Sequence, residues 1–274
     1  MSPKRLADFG FFSCCVALVS VCMAFASVGA FAKHDGEREK RSVSFGFPWH
    51  GKLSHGWKIR PSNYLRYTGE YAKDGNFYGT WELVQLLERA AIRVEARVPG
   101  AKLSVGELSK ASGGRIAGHR SHENGRDVDI SFYMQNAQGE VFEPWAFANF
   151  GRNGKGRGAN TALRFDDARN WELVAKLVAD GDARVQHIFV SSGIQARLLA
   201  EARRRGAPSV LIERAKKVMM QPSHGHPHRN HFHVRIYCPP SDRSVCKDKA
   251  PYWSWYPGSP PAAFASSRIA TLHR

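Results

Sequence analysis

Acidic side chains are scarce in this 274-residue chain, with 24 Asp plus Glu against 40 Lys plus Arg and a formal net charge of +16. Such an excess draws the protein towards something anionic, whether nucleic acid, a membrane face or an acidic polymer, and does not choose among them. No zinc-finger spacing, RNP-like aromatic pattern or heptad repeat is present, which argues against nucleic acid. No repeat of 20 to 50 residues is visible, so solenoids are excluded. No glycine-rich phosphate loop opens a helix, which disfavours a doubly wound sheet. The Gly-x-Ser-x-Gly elbow of the serine hydrolases is also missing. Ser244-Val245-Cys246-Lys247 matches a Ser-x-x-Lys pattern but lacks the Lys-Thr-Gly and Ser-Asp-Asn elements that accompany it, and is read as chance. What is plentiful is apolar mass: 43% hydrophobic residues, seven Trp and sixteen Phe fill a core for one or two domains and exclude disorder or a fibre.

Cysteine is the next scarcity. Three of the five, Cys14, Cys15 and Cys22, sit in an N-terminal run from Phe11 to Ala32 that carries no charge, follows Lys4 and Arg5, and closes on Ala30-Phe31-Ala32. This pattern predicts a secretory signal cleaved after Ala32. The same run is just long enough to serve instead as an uncleaved membrane anchor. A lipid anchor at Cys22 is disfavoured because Val21 stands where a small residue is needed. Cleavage removes Lys4, Arg5 and Asp8, so the exported chain stays basic, one charge below +16. It also leaves only Cys238 and Cys246, eight positions apart, which an oxidising compartment reads as one disulfide worth about 2 to 3 kcal/mol in the chain-entropy model. The expected organisation is a signal over 1–32, a charged linker over 33–42, a main domain over 43–250 and a Pro/aromatic tail over 251–274. That tail, with Tyr252, Trp253, Trp255 and Tyr256, either packs on the domain or lies on a substrate.

Apolar residues spaced by threes and fours predict a helix between Gly79 and Pro99. Further helices are expected over Asp166 to Asp180, Ile194 to Arg204 and Ser209 to Met219. Strands are expected at Val105 to Leu108, Asp127 to Phe132, Val185 to Val190 and His231 to Tyr237, and an exposed loop at Arg152 to Asn160. The irregular alternation predicts an α+β fold.

Two stretches concentrate the chemistry. In Gly118 to Ile130, Asn124-Gly125 forces a turn, after which Asp127 and Asp129 share one face of a strand while Val128 and Ile130 take the other. His122-Glu123 does not start a helical His-Glu-x-x-His motif, since Gly125 breaks the helix and Arg126 stands at the second histidine position. In Ser223 to Ile236, His231, His233 and Arg235 face one way and Phe232, Val234 and Ile236 the other. Zinc takes three protein ligands in a catalytic site and leaves a fourth position for water. His122, Asp129 and one histidine of the later pair supply such a set. Asp127 either orients a ligand histidine or is a strand-edge charge. His224 to His228 could bind metal adventitiously.

At these residues the chain resembles the penicillin-insensitive murein endopeptidases, members of the LAS group of zinc peptidases. The shared motif is a His, six residues and Asp, here His122 to Asp129, with a later His-x-His, here His231-Phe232-His233. The likeness extends through Gly79-Thr80, Pro99-Gly100, Val105-Gly106, Gly113-Gly114, Gly118-His119, His187 to Val190, and His228 three residues before His231, covering roughly Val43 to Cys246. The resemblance implies a single α+β domain with a small antiparallel sheet and surrounding helices. It implies zinc held by His122, Asp129 and His233, with His228 and His231 as catalytic residues beside an activated water, one as general base and the other at the oxyanion. It puts His119 forward for a second zinc, although Asp166 to Asn170 offers carboxylates without the histidine some relatives use. His224 and His226 are additions to the family pattern. The implied function is a periplasmic zinc endopeptidase acting on peptidoglycan stem peptides at the D-alanyl to meso-diaminopimelyl cross-link. Nucleic acid is not an expected partner, and no stable membrane insertion is expected after signal cleavage. A non-catalytic peptidoglycan- or metal-binding module and a D,D-carboxypeptidase remain the alternatives.

Overall fold

The computed structural model describes residues 41–257. The expected signal over 1–32, most of the expected linker and the tail from residue 258 lie outside the described residues. No helix among the described residues is long and apolar enough to cross a membrane.

The domain opens with a hairpin of β1 (Val43–Phe47) and β2 (His50–Ser54), then β3 (Trp57–Lys58), β4 (Leu65–Tyr67) and β5 (Tyr78–Gly79), which pairs with β3. Helix α1 (Trp81–Arg97) begins where the Thr80 side chain accepts a hydrogen bond from Leu83 N, and ends two residues before Pro99, which cannot continue it. Its stripe of Leu83, Leu86, Leu87, Ala90, Ala91 and Val94 is buried as the spacing predicts. Then follow β6 (Leu103–Val105), β7 (Asp127–Ser131), β8 (Met134–Gln135), β9 (Val141–Phe142) and β10 (Arg164–Phe165). The second half holds α2 (Asp167–Ala179), β11 (Val185–Phe189), α3 (Ser192–Arg204), α4 (Ser209–Val218), β12 (Met219–Met220) and β13 (His231–Ile236). This is the α+β architecture expected.

The main sheet has six strands in the order β12-β11-β13-β7-β6-β4. Its centre is antiparallel as expected, but both edge pairs, β11 with β12 and β4 with β6, are parallel. The expected strand at Val105 to Leu108 lies two residues earlier, because residues 103–105 pair with β4, a partner that periodicity does not reveal. Val128, Ile130, Phe232 and Val234 are fully buried in one apolar cluster with the helix residues Leu86, Leu87, Leu173 and Leu177. The opposite face of β7 and β13 is left to the polar residues. Cys238 and Cys246 are disulfide-bonded. The described part of the aromatic tail packs on the domain: Trp253 Nε1 donates to Gln186 O at 2.9 Å, and Tyr256 is buried.

Candidate functional site

The register of β7 against β13 puts Asp129 directly opposite His233, Asp127 opposite Arg235 and Ser131 opposite His231. Cross-strand partners project from the same face of a sheet, so these side chains meet. His122 reaches the same place from a loop held by a tight turn. Gly125 has φ +75, and a Cβ there would lie 2.8 Å from a Leu53 methyl carbon. His122 and His228 adopt φ values of 74 and 48, a left-handed conformation that non-glycine residues rarely take and that tends to collect at functional sites.

Hydrogen bonds fix each ring. His122 Nδ1 lies 2.7 Å from the Leu108 carbonyl, which can only accept, so Nδ1 carries the proton and the Nε2 lone pair points inward. That Nε2 is 3.5 Å from Asp129 Oδ1. His233 Nδ1 is 3.2 Å from the same oxygen, while its Nε2 faces Asp127 Oδ1 at 3.3 Å. Asp127 is fully buried; it accepts from Arg235 Nε at 2.6 Å and from the backbone N–H of His122 at 3.1 Å. It therefore steadies His233 and the His122 loop together. His231 Nδ1 donates to Asn230 Oδ1 at 2.9 Å, leaving Nε2 3.5 Å from Asp129 Oδ1. His228 Nδ1 donates to His226 O at 2.8 Å, which leaves its Nε2 free. The His228 and His231 rings are 4.8 Å apart, and Phe147 stacks on His231 at 4.9 Å.

Two lone-pair-bearing atoms, His122 Nε2 and Asp129 Oδ1, are thus buried side by side with no hydrogen-bond partner among the described residues. Acceptors facing one another without a proton between them repel, and burying them unpaired costs about 1–3 kcal/mol each. A cation between them removes that cost. Tetrahedral zinc with bonds of about 2.0–2.2 Å sets its donors roughly 3.3–3.5 Å apart, and the separations here are 3.5 and 3.2 Å. The residues present fit a metal ion: the group whose donor atoms all lie within 4.8 Å of one another is His119, His122 and Asp129, and His233 Nδ1 lies 3.2 Å from the same Asp129 oxygen as His122.

The electrostatics agree. Burial alone would raise the Asp129 carboxyl, but His231, His122 and His233 hold it well below the usual carboxylate range. Burial pulls His233 down, and Asp129 and Asp127 overcome this to raise it to about 9, so a proton is drawn to the place where a cation is wanted. Burial pushes His231 down to about 4 and also lowers His228. The shared cavity is about 610 Å³ and is bordered by Trp49, Arg120, Phe189 and His224.

The structure brings His119, His122, Asp129, His228, His231 and His233 to this one cavity. Asp166 and Asp167 are not among them: Asp166 caps α2 and pairs with Arg169, and Asp167 pairs with Arg197. His226 also lines the cavity. Sequence reasoning missed Glu107, whose Oε2 is 2.6 Å from His119 Nε2 and whose Oε1 accepts from Asn76 Nδ2 at 2.6 Å. The Glu107 hydrogen bond raises the His119 pKa, with burial acting against it. Sequence reasoning also missed Asn230 and Phe147, and no local pattern marks either.

Residues 56–254 match the family described as penicillin-insensitive murein endopeptidase. Relatives carrying that description include one from Haemophilus influenzae, 33% identical over 183 residues, covering 64% of this chain and 56% of its own length. One from Klebsiella pneumoniae strain 342 is 24% identical over 242 residues, covering 85% of this chain and 82% of its own. One from Salmonella typhi is 28% identical over 177 residues, covering 63% and 58%. The chain thus spans little more than half the length of the first and third of these proteins.

Proposed function

The chain belongs to the penicillin-insensitive murein endopeptidase family, and on that premise we propose that it is an exported, zinc-dependent endopeptidase cutting the peptide cross-links of peptidoglycan. The observation that carries the metal dependence is the pair of buried, unpartnered acceptors on His122 and Asp129. In this reading His122 Nε2, Asp129 Oδ1 and His233 Nδ1 would hold the ion. The Leu108 carbonyl keeps the His122 imidazole in the tautomer that presents its lone pair to the ion, and Asp127 faces His233 Nε2 from 3.3 Å on the far side of that ring. Zinc supplies Lewis acidity towards the scissile carbonyl and the attacking water.

The protein's own part is proton transfer and orientation. His228 and His231, tied through Nδ1 and open at Nε2, divide two tasks. One takes the proton of the attacking water and returns it to the leaving amine; the other acts at the carbonyl oxygen, which requires it to carry a second proton on Nε2 against the burial that lowers its pKa. Because water attacks directly, no side-chain nucleophile is offered to a β-lactam. His119 keeps Nδ1 3.7 Å from Asp129 Oδ2, where it is available to a second ion. Zinc stoichiometry of His119→Ala against the unaltered protein tests that assignment. The bond cut is taken to be D-alanyl to meso-diaminopimelyl, and the compartment the periplasm.

Mass spectrometry of muropeptides from cross-linked sacculi, with and without a chelator, tests the whole reading. Release of monomers that the chelator stops and added zinc restores is the expected result. Tight sacculus binding without product would replace it by a non-catalytic module, and loss of terminal D-Ala from uncross-linked stems by a carboxypeptidase.

A further inference from the structure

A second cavity, of about 410 Å³, opens where the loop after Phe150, the start of α3 and Arg229 come together. Arg152, Arg157 and Arg229 line it, with Ser191, Ser192 and Gln221. Each arginine stands on fixed backbone: Gly151 N donates to Lys155 O at 2.9 Å, Arg157 N to Asn149 O at 2.8 Å, and Phe150 N to Arg229 O at 2.9 Å. Gly193 lets the loop close on α3, since a Cβ there would lie 2.7 Å from that of Arg152.

Three arginines of like charge border one hollow, and all three are exposed. Some arginines of this domain are matched by carboxylates, Arg89 by Asp180, Arg197 by Asp167 and Arg205 by Glu172 and Glu201, and others, such as Arg60 and Arg214, pair with none among the described residues. Among the described residues no carboxylate pairs with Arg152, Arg157 or Arg229. Exposed guanidiniums without a carboxylate partner, carried on hydrogen-bonded backbone, match a carboxylate in charge and in their planar fork. The hollow lies one step of lining residues away from the histidine cavity. Phe189, Pro222 and His224 border both that cavity and an intermediate hollow of about 400 Å³, and Gln221 borders the intermediate hollow and the arginine cavity. The wall is braced to the site itself, because Ser191 N donates to His228 O at 3.0 Å.

We propose that the arginine cavity is a substrate subsite holding a free carboxylate of the acidic peptide, at a distance from the bond being cut. The assignment rests on the endopeptidase reading for its substrate class. It gives the basic charge of the chain a specific place of action, and it makes the groove between the two cavities the track of the peptide.

The test compares Arg152→Gln, Arg229→Gln and their double variant with the unaltered protein. The substrates are cross-linked muropeptides with free carboxylates and the same compounds with those carboxylates amidated. Each substitution is expected to lower kcat/KM on the free-carboxylate substrate about tenfold, the worth of one charge-assisted hydrogen bond. Amidation should cost the unaltered protein a similar factor and erase its advantage over the variants. Lys216→Gln, which removes the same charge from the exposed side of α4, should match the unaltered protein on both substrates. Equal activity of the arginine variants, or an equal loss on free and amidated substrates, overturns the proposal. Calorimetric binding of a stem tetrapeptide separates it from the endopeptidase reading. If no substrate is cleaved, binding weakened by the arginine substitutions and by amidation still supports the subsite, and binding indifferent to both overturns it.

Discussion

The two faces of β7 and β13 are built from alternate residues of the same ten or so positions and have opposite chemistry. Val128, Ile130, Phe232 and Val234 on one face are sealed into the core, while Asp127, Asp129, His233 and Arg235 on the other are almost as deeply buried and ionisable. The apolar face is stabilised by burial alone, at about 25 cal/mol per Å². The ionisable face has no such gain and is held by mutual compensation: Asp127 balances Arg235 and His233, and Asp129 is balanced by imidazoles. The contrast shows what a rigid core does for a site. It fixes the strand register on one side, so that charges on the other can be held at separations a flexible loop would not keep.

The comparison can be broken most severely on the polar face. His233→Ala should lose zinc and hydrolysis together, on the order of a thousandfold or more in kcat/KM, measured by metal content and muropeptide release, while the fold stays intact by circular dichroism. His231→Ala should keep zinc and lose about 10²–10⁴ in turnover, and His228→Ala likewise; full activity in either would remove that residue from the mechanism. The apolar face answers in the other currency. Phe232→Ala, which empties a fully buried site, should destabilise by about 3–5 kcal/mol in denaturant unfolding, with metal content preserved in the protein that remains folded. Asp127→Asn sharpens the comparison further. It should weaken zinc binding by about 10–100-fold and also destabilise, because Arg235 is left buried without its partner. Adding Arg235→Gln should recover stability but not zinc affinity, since only the first loss comes from an uncompensated charge.

Much of this was legible beforehand, and the reasons differ by element. Helices α1 to α4 lie within two or three residues of their expected spans because an amphipathic stripe is a local signal. The alternation in β7 and β13 assigned their faces correctly for the same reason. From sequence, Asp127 is either an orienting group or a strand-edge charge; in the structure it is buried against Arg235, His233 and the His122 backbone. The aromatic tail was open between the domain and a substrate, and its described residues lie on the domain. The β1–β2 hairpin and the short strands β8, β9 and β10 were not foreseen, since segments of two to five residues carry too little pattern to read. Glu107 and the three arginines were equally silent, because each matters only through partners distant in sequence.

By itself the sequence determined which side chains a helix or strand would show to the core, and through its motifs which residues to suspect of holding a metal. Tertiary structure alone decided that Asp129 stands opposite His233 across about a hundred residues of chain, that Glu107 meets His119, and that Arg152, Arg157 and Arg229 surround one hollow. The physical reason is that a strand's alternation is local but its register is not. Register is fixed by hydrogen bonds to another strand and by the core behind both, and a slip of one residue would turn Asp129 and His233 to the wrong face.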